Sequence, residues 1–210
     1  GVAQRGPLRA GRTPPGARVL ATAASPPLAT VVRTMNLDSD NFIAEMLTKG
    51  IGAAAGAGGS TAAGTARTTE VLSERGLLGP GDRLVDGSGL SRANRLSARS
   101  LVRILAAADA DPGWGAALIA SMARGGEGTL VRRFATGVAT RRVRAKTGYL
   151  DGVSAMAGRV VSRRGPRYAF AVVANTPDIA AARAIQERVV VMLASGVADQ
   201  GAVVAAAPGL

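Results

Sequence analysis

The chain has 210 residues, 47% of them apolar but only 3% aromatic, which bounds it to one domain of ordinary size with a core of Ala, Val, Leu and Ile. It contains no Cys and no His, which excludes disulfides, Cys/His metal sites and every nucleophile–His catalytic pair, so any base must be Lys or a carboxylate. The net charge of +12 comes almost wholly from Arg, the only lysines being Lys49 and Lys146, and these arginines scatter along the chain as a solvated surface would rather than clustering beside aromatics as a nucleic-acid face would.

In chain order, residues 1–27 hold Pro7, Pro14, Pro15, Pro26 and Pro27 with several Gly, a connector composition with one strand candidate at Arg18–Thr22. Leu28, Val31, Val32 and Met35 follow the i, i+3, i+4, i+7 spacing of an amphipathic helix, which Asn36 interrupts. Asp38-Ser39-Asp40-Asn41 offers good N-cap residues for a second helix from Phe42 to about Ile51. The Gly/Ala run 52–59 reads as a flexible surface loop. Ser60 caps a third helix reaching about Arg75. Asp86-Gly-Ser-Gly-Leu-Ser91 is a turn-rich loop in which Asp86 is read as a turn residue bonding local backbone. Ser97 caps a fourth helix, and Asp111-Pro112 opens a short one carrying Trp114, Leu118 and Ile119.

The period then changes. Arg141–Lys146, Val153–Ser162 and Arg167–Thr176 read as three strands, joined by Gly148–Gly152 and Arg163–Pro166 in connections short enough for antiparallel hairpins. Thr176-Pro177-Asp178 opens a final helix whose Ile179, Ala182, Ile185, Val189 and Met192 are spaced to face a sheet. Residues 196–210 form an Ala/Gly/Val tail. The expected fold class is α+β, with helices first, a small antiparallel sheet, then a closing helix. No apolar run reaches the roughly 18 residues of a membrane-spanning helix, and the initial Gly reads as a processed or truncated start.

Two short motifs carry chemistry. Lys146-Thr147-Gly148 ends a strand and, alone, could be any Lys before a turn. Ser39-Asp40-Asn41 lies between two helices and, alone, could be a helix cap. Together and in this order they match two of the three motifs of the penicillin-binding proteins and class A β-lactamases. Further stretches agree: Ser25-Pro-Pro-Leu28, Ser39–Met46, Asp86–Ser91 with Asn94 and Ser97, Gly128-Thr-Leu130 with Arg132-Arg133, Ala145–Gly148 with Gly152-Val-Ser154, and Phe170–Asn175. Over roughly residues 18–193 the chain resembles the low-molecular-mass penicillin-binding proteins that are D-alanyl-D-alanine carboxypeptidases and endopeptidases, of the kind with a domain inserted in the catalytic domain.

That resemblance implies a partial penicillin-binding-protein/β-lactamase-like transpeptidase fold and a serine-type acyl transfer on peptidoglycan stem peptides ending in D-Ala-D-Ala. It implies β-lactams as covalent inhibitors of the complete enzyme, no metal and no cofactor, and an extracytoplasmic location. Ser39 would relay a proton between the base and the leaving D-alanine nitrogen, and Asn41 would hold the substrate. Lys146 would steady Ser39 and attract the terminal carboxylate, Thr147 would hydrogen-bond it, Gly148 would let the substrate lie close to the strand, and the Tyr149 N–H would form half of an oxyanion hole. Two departures stand out. No Ser-x-x-Lys occurs in these 210 residues: Lys49 has Met46 at the required position and Lys146 has Val143. Tyr149 replaces the small hydroxyl residue more usual after Lys-Thr-Gly.

The chain therefore reads as the C-terminal part of the catalytic domain over 28–195, with 1–27 returning from an inserted domain and 196–210 a tail, and as inactive alone. A β-lactamase- or esterase-like hydrolase and a non-catalytic module binding anionic polymer are the competing readings.

Overall fold

The computed structural model describes residues 6–7 and 10–197. Five helices come first: α1 (Leu28–Asp38), α2 (Asn41–Ala54), α3 (Thr61–Glu74), α4 (Ala98–Ala110) and α5 (Trp114–Ser121). Strand β1 (Ala123–Arg124) and a 3-10 turn (Gly128–Leu130) lead into β2 (Val143–Leu150), β3 (Val153–Val161) and β4 (Arg167–Asn175), and α6 (Ile179–Ser195) closes the fold. The sheet is antiparallel with order β1-β2-β3-β4, so the α+β expectation holds.

The helix starts follow cap chemistry. Asp40, Ser60, Ser97 and Asp178 each accept the backbone N–H three residues on, at 2.8, 3.1, 3.1 and 2.9 Å, each contact worth about 1 kcal/mol. Gly196 ends α6 in the left-handed conformation, φ 80°.

The two faces of the sheet are set by register. Val143, Ala145, Thr147 and Tyr149 stand opposite Val160, Gly158, Met156 and Ser154, and this face packs against α6 through Val190, Leu193 and Ala194. Gln186 is fully buried in α6 and donates to Ser154 Oγ at 3.1 Å, which satisfies both polar groups inside that core. The opposite face carries Lys146, Ala157 and Ala169 and meets α4 and α5 through Leu105, Ile119 and Met122.

Several expectations are corrected. Arg18–Thr22 forms no strand: it has no partner to pair with, and Val19 and Leu20 are exposed. Asn36 does not interrupt α1, because its buried amide donates to Ser121 Oγ at 2.7 Å and the helix runs on to Asp38. The Gly/Ala run starts inside α2 rather than as a loop. A Cβ at Gly52 would fall 2.8 Å from the Gly64 nitrogen, so glycine is what lets α2 and α3 cross this closely. Gly148 belongs to β2 and not to the turn, which is Asp151-Gly152 alone, with Gly152 at φ 73°. Strand β1 adds a fourth strand too short to show a period. On α6 the buried stripe is Ala182, Gln186, Val190 and Leu193, one residue out of phase with the expected one, because Gln186 is an inward polar residue and Ile185 is exposed. The tail expected over 196–210 lies, beyond Val197, outside the described residues.

Many of the arginines do more than coat the surface. Arg33 and Arg144 both donate to Ala120 O at the end of α5, at 2.9 and 3.0 Å, where a cation meets the negative helix terminus. Arg159 pairs with Asp109 at 2.8 Å and ties β3 to α4.

Candidate active site

The site is built where the α1–α2 junction meets β2. Helix α1 ends at Ser39, which takes a left-handed conformation (φ 56°, ψ 47°) that costs a non-glycine residue about 1–2 kcal/mol. Asp40 then caps α2, and Asn41 is the first residue of that helix. The reversal turns Ser39 toward β2, where Lys146 Nζ donates to Ser39 Oγ at 2.7 Å across 107 residues of sequence. The strain gives an expected result. Ser39→Gly and Ser39→Ala both lose the hydroxyl, but the glycine variant should be more stable than the alanine variant by about 1 kcal/mol. Urea unfolding midpoints compare the two directly, and coincident midpoints would show that the conformation carries no cost.

An ammonium has three N–H groups and accepts nothing. Lys146 spends one on Ser39 Oγ and one on Thr147 O at 2.6 Å, which leaves one for a ligand. Because Ser39 Oγ accepts from Lys146, its own hydrogen is free to be donated elsewhere. Burial holds the Lys146 ammonium below the ordinary lysine range.

The edge of β2 is open beside this pair. Strand β1 covers only Arg144 and Ala145. Val161 N–H bonds Arg142 O, so the alternation of an antiparallel ladder makes Arg144, Lys146, Gly148 and Leu150 the residues bonded to β3. The backbone groups of Thr147 and Tyr149 therefore face away from β3, into a cleft of about 710 Å³. All six residues singled out in the sequence line this cleft: Ser39, Asn41, Lys146, Thr147, Gly148 and Tyr149. A Cβ at Gly148 would only touch Ala155 Cβ, at 3.5 Å, so the glycine serves open space over the strand rather than packing.

The far rim of the cleft is the 86–91 loop. Asp86 accepts from the Gly89 and Ser91 N–H groups at 2.8 and 2.6 Å and from Asn94 Nδ2 at 2.7 Å, which is the geometry of a turn residue. Glu45 on α2 reaches across to accept from the Gly87 and Ser88 N–H groups, both at 2.9 Å, and from Ser88 Oγ at 2.8 Å. Burial works to raise both carboxyls, but these hydrogen bonds leave each below its usual value. Glu45 went unassigned in the sequence. It lies four residues after Asn41 on the same helix face, which was the available signal. Thr129 was also unassigned, and its buried hydroxyl lines the cleft without a hydrogen-bond partner. Among the described residues no cluster of carboxylates could hold a metal ion.

The sequence profile of the D-Ala-D-Ala carboxypeptidase 3 (S13) family matches residues 1–196. The chain belongs to that family. It is 36% identical over 203 residues to a D-alanyl-D-alanine carboxypeptidase of an Actinomadura species, a match over 92% of this chain and 37% of that protein. It is 33% identical over 187 residues to carboxypeptidase DacB of Mycolicibacterium smegmatis, over 86% of this chain and 41% of that protein. Among solved structures, penicillin binding protein 4 of Haemophilus influenzae in complex with a β-lactam superposes with a TM-score of 0.66 at 28% identity, over 71% of this chain and 35% of that one. The chain thus spans about two fifths of the length of the curated carboxypeptidase relatives it matches.

Proposed function

We propose that these residues form the substrate-gripping wall of a serine-type D-alanyl-D-alanine peptidase that acts on peptidoglycan stem peptides. The observation that carries the reading is the Lys146–Ser39 hydrogen bond of 2.7 Å inside a cleft walled by an open strand edge. A peptide ending in D-Ala-D-Ala would lie along that edge as an added strand, bonded to the backbone groups of Thr147 and Tyr149. Its terminal carboxylate would take the free Lys146 N–H and the Thr147 hydroxyl. The attacking serine would add to the penultimate carbonyl, whose developing oxyanion would receive the Tyr149 N–H. As the C–N bond breaks, Ser39 would pass its proton to the departing D-alanine nitrogen and regain one from the general base, leaving an acyl-enzyme for water to hydrolyse. Asn41, at the start of α2, would hold the peptide backbone from the opposite wall.

The serine and the base of this scheme are the Ser-x-x-Lys pair that is absent from these 210 residues. The 210-residue polypeptide is therefore inactive alone, and residues 28–195 supply only the C-terminal part of the catalytic domain. A peptidoglycan substrate places the protein outside the cytoplasm, and no helix among the described residues is long and apolar enough to cross a membrane. The test is covalent labelling by a fluorescent β-lactam. No label is expected on the 210-residue polypeptide, and label is expected once a family segment bearing Ser-x-x-Lys is joined or added to it. Covalent label on the shorter polypeptide would sink the assignment of roles.

A further inference from the structure

We propose that Arg183, seated on the ring of Tyr149, is a specificity-determining residue that binds the terminal carboxylate of the peptide from the sheet face opposite Lys146. The inference rests on the function proposed above and names the second cation of the same site.

The Arg183 guanidinium carbon lies 5.8 Å from the centroid of the Tyr149 ring, and the ring is 61% exposed at the lip of the cleft. A guanidinium held over an aromatic face by a cation–π contact keeps N–H groups free for a planar anion, and the contact holds it there before the anion arrives. Its neighbour on the same side is already satisfied: Arg133 pairs with Glu187 at 2.9 Å and with Gln186 Oε1 at 3.1 Å. Among the described residues no ion pair joins Arg183 to a carboxylate.

Thr147 and Tyr149 stand on the α6 face of β2, about 7 Å apart along the strand, a separation that an arginine side chain lying over Tyr149 covers. Lys146 reaches the same strand edge from the other face, where it meets Ser39. A carboxylate bound at the edge is thus bracketed by two cations, one from each side of the sheet. This also gives a reason for the residue after Lys-Thr-Gly. A small hydroxyl there would donate one hydrogen bond, whereas Tyr149 replaces that bond with a platform for a charge able to donate two.

The test titrates the 210-residue chain with an N-acetylated peptide ending in D-Ala-D-Ala and with its C-terminal amide, followed by backbone amide NMR. The unsubstituted chain should prefer the acid. Arg183→Ala should weaken the acid peptide about tenfold and leave the amide unchanged, a selective loss that a merely structural role would not produce. Tyr149→Thr should weaken the acid peptide too, and Arg183→Lys should restore only part, because an ammonium neither stacks flat nor binds in a fork. Arg183→Gln, which keeps the length of the side chain, serves as the second neutral variant should the alanine variant fold poorly. Undiminished preference for the acid in a folded, neutral Arg183 variant overturns this inference and leaves the site assignment standing. Equal binding of acid and amide by the unsubstituted chain, or binding of neither, overturns both.

Discussion

Gly158→Ala is expected to lower the unfolding free energy by about 3 kcal/mol, at the upper end of what a single overpacked methyl costs. Gly158 stands directly opposite Ala145 in the β2–β3 ladder. A Cβ built on it would run into the Arg144 carbonyl and would lie 2.6 and 2.7 Å from the Ala145 Cα and Cβ. These are backbone atoms and a stub of side chain, so no rotamer can move out of the way. The strand itself must shift, and the next residue along it is Lys146. The loss is a large share of the 5–15 kcal/mol that holds an ordinary domain together. It should come with displaced amide resonances at Lys146 and Thr147. Urea denaturation gives the free energy and the amide spectrum gives the displacement. A variant as stable as its parent, with those resonances in place, would show that β2 and β3 have room that the close approach denies.

The second large effect concerns Lys146 in a protein that also carries the Ser-x-x-Lys segment. Lys146→Gln should slow acylation by a β-lactam about 10²- to 10³-fold, the usual consequence of removing one preorganised donor from an acyl-transfer site. Lys146→Arg should not restore it, since a planar guanidinium cannot place single N–H groups on both Ser39 Oγ and the Thr147 carbonyl as the ammonium does. The pH profile is the sharper measurement. Burial depresses the Lys146 pKa, so acylation is full below the depressed value and is lost as pH rises through it, earlier than an ordinary lysine would allow. Stability moves the other way. The unfolded chain binds the proton more tightly, so folding becomes more favourable as pH climbs from the depressed value toward the ordinary one. Acylation falling while the urea midpoint rises over one pH window identifies Lys146. An alkaline limb in the ordinary lysine range, or an unslowed Lys146→Gln, counts against its role.

Much of this was legible in the residues. The caps at Asp40, Ser60 and Ser97 announced their helices because capping is a local interaction between a side chain and a backbone three residues away. The two motifs were legible for a similar reason: each is a short run whose residues act together. What could not be read was decided across long separations. Asn36 looked like an interruption until Ser121, 85 residues later, supplied its partner. Gln186 shifted the apparent stripe of α6 because Ser154 on β3 accepts from it in the core. Gly148 looked like a turn residue because glycine usually is one; only the pairing with Ala155 keeps it in the strand. Arg183 carried no local signal at all, since its importance comes from the ring beneath it.

The scarcity of lysine has a practical outcome. Selective ¹⁵N labelling of lysine would mark two side-chain amines, Lys49 and Lys146, in a protein whose other 24 basic side chains are arginine. One of the two sits in the cleft against Ser39. A single side-chain nitrogen resonance would then report the protonation, occupancy and integrity of the site, against a second that serves as an internal reference in the same spectrum.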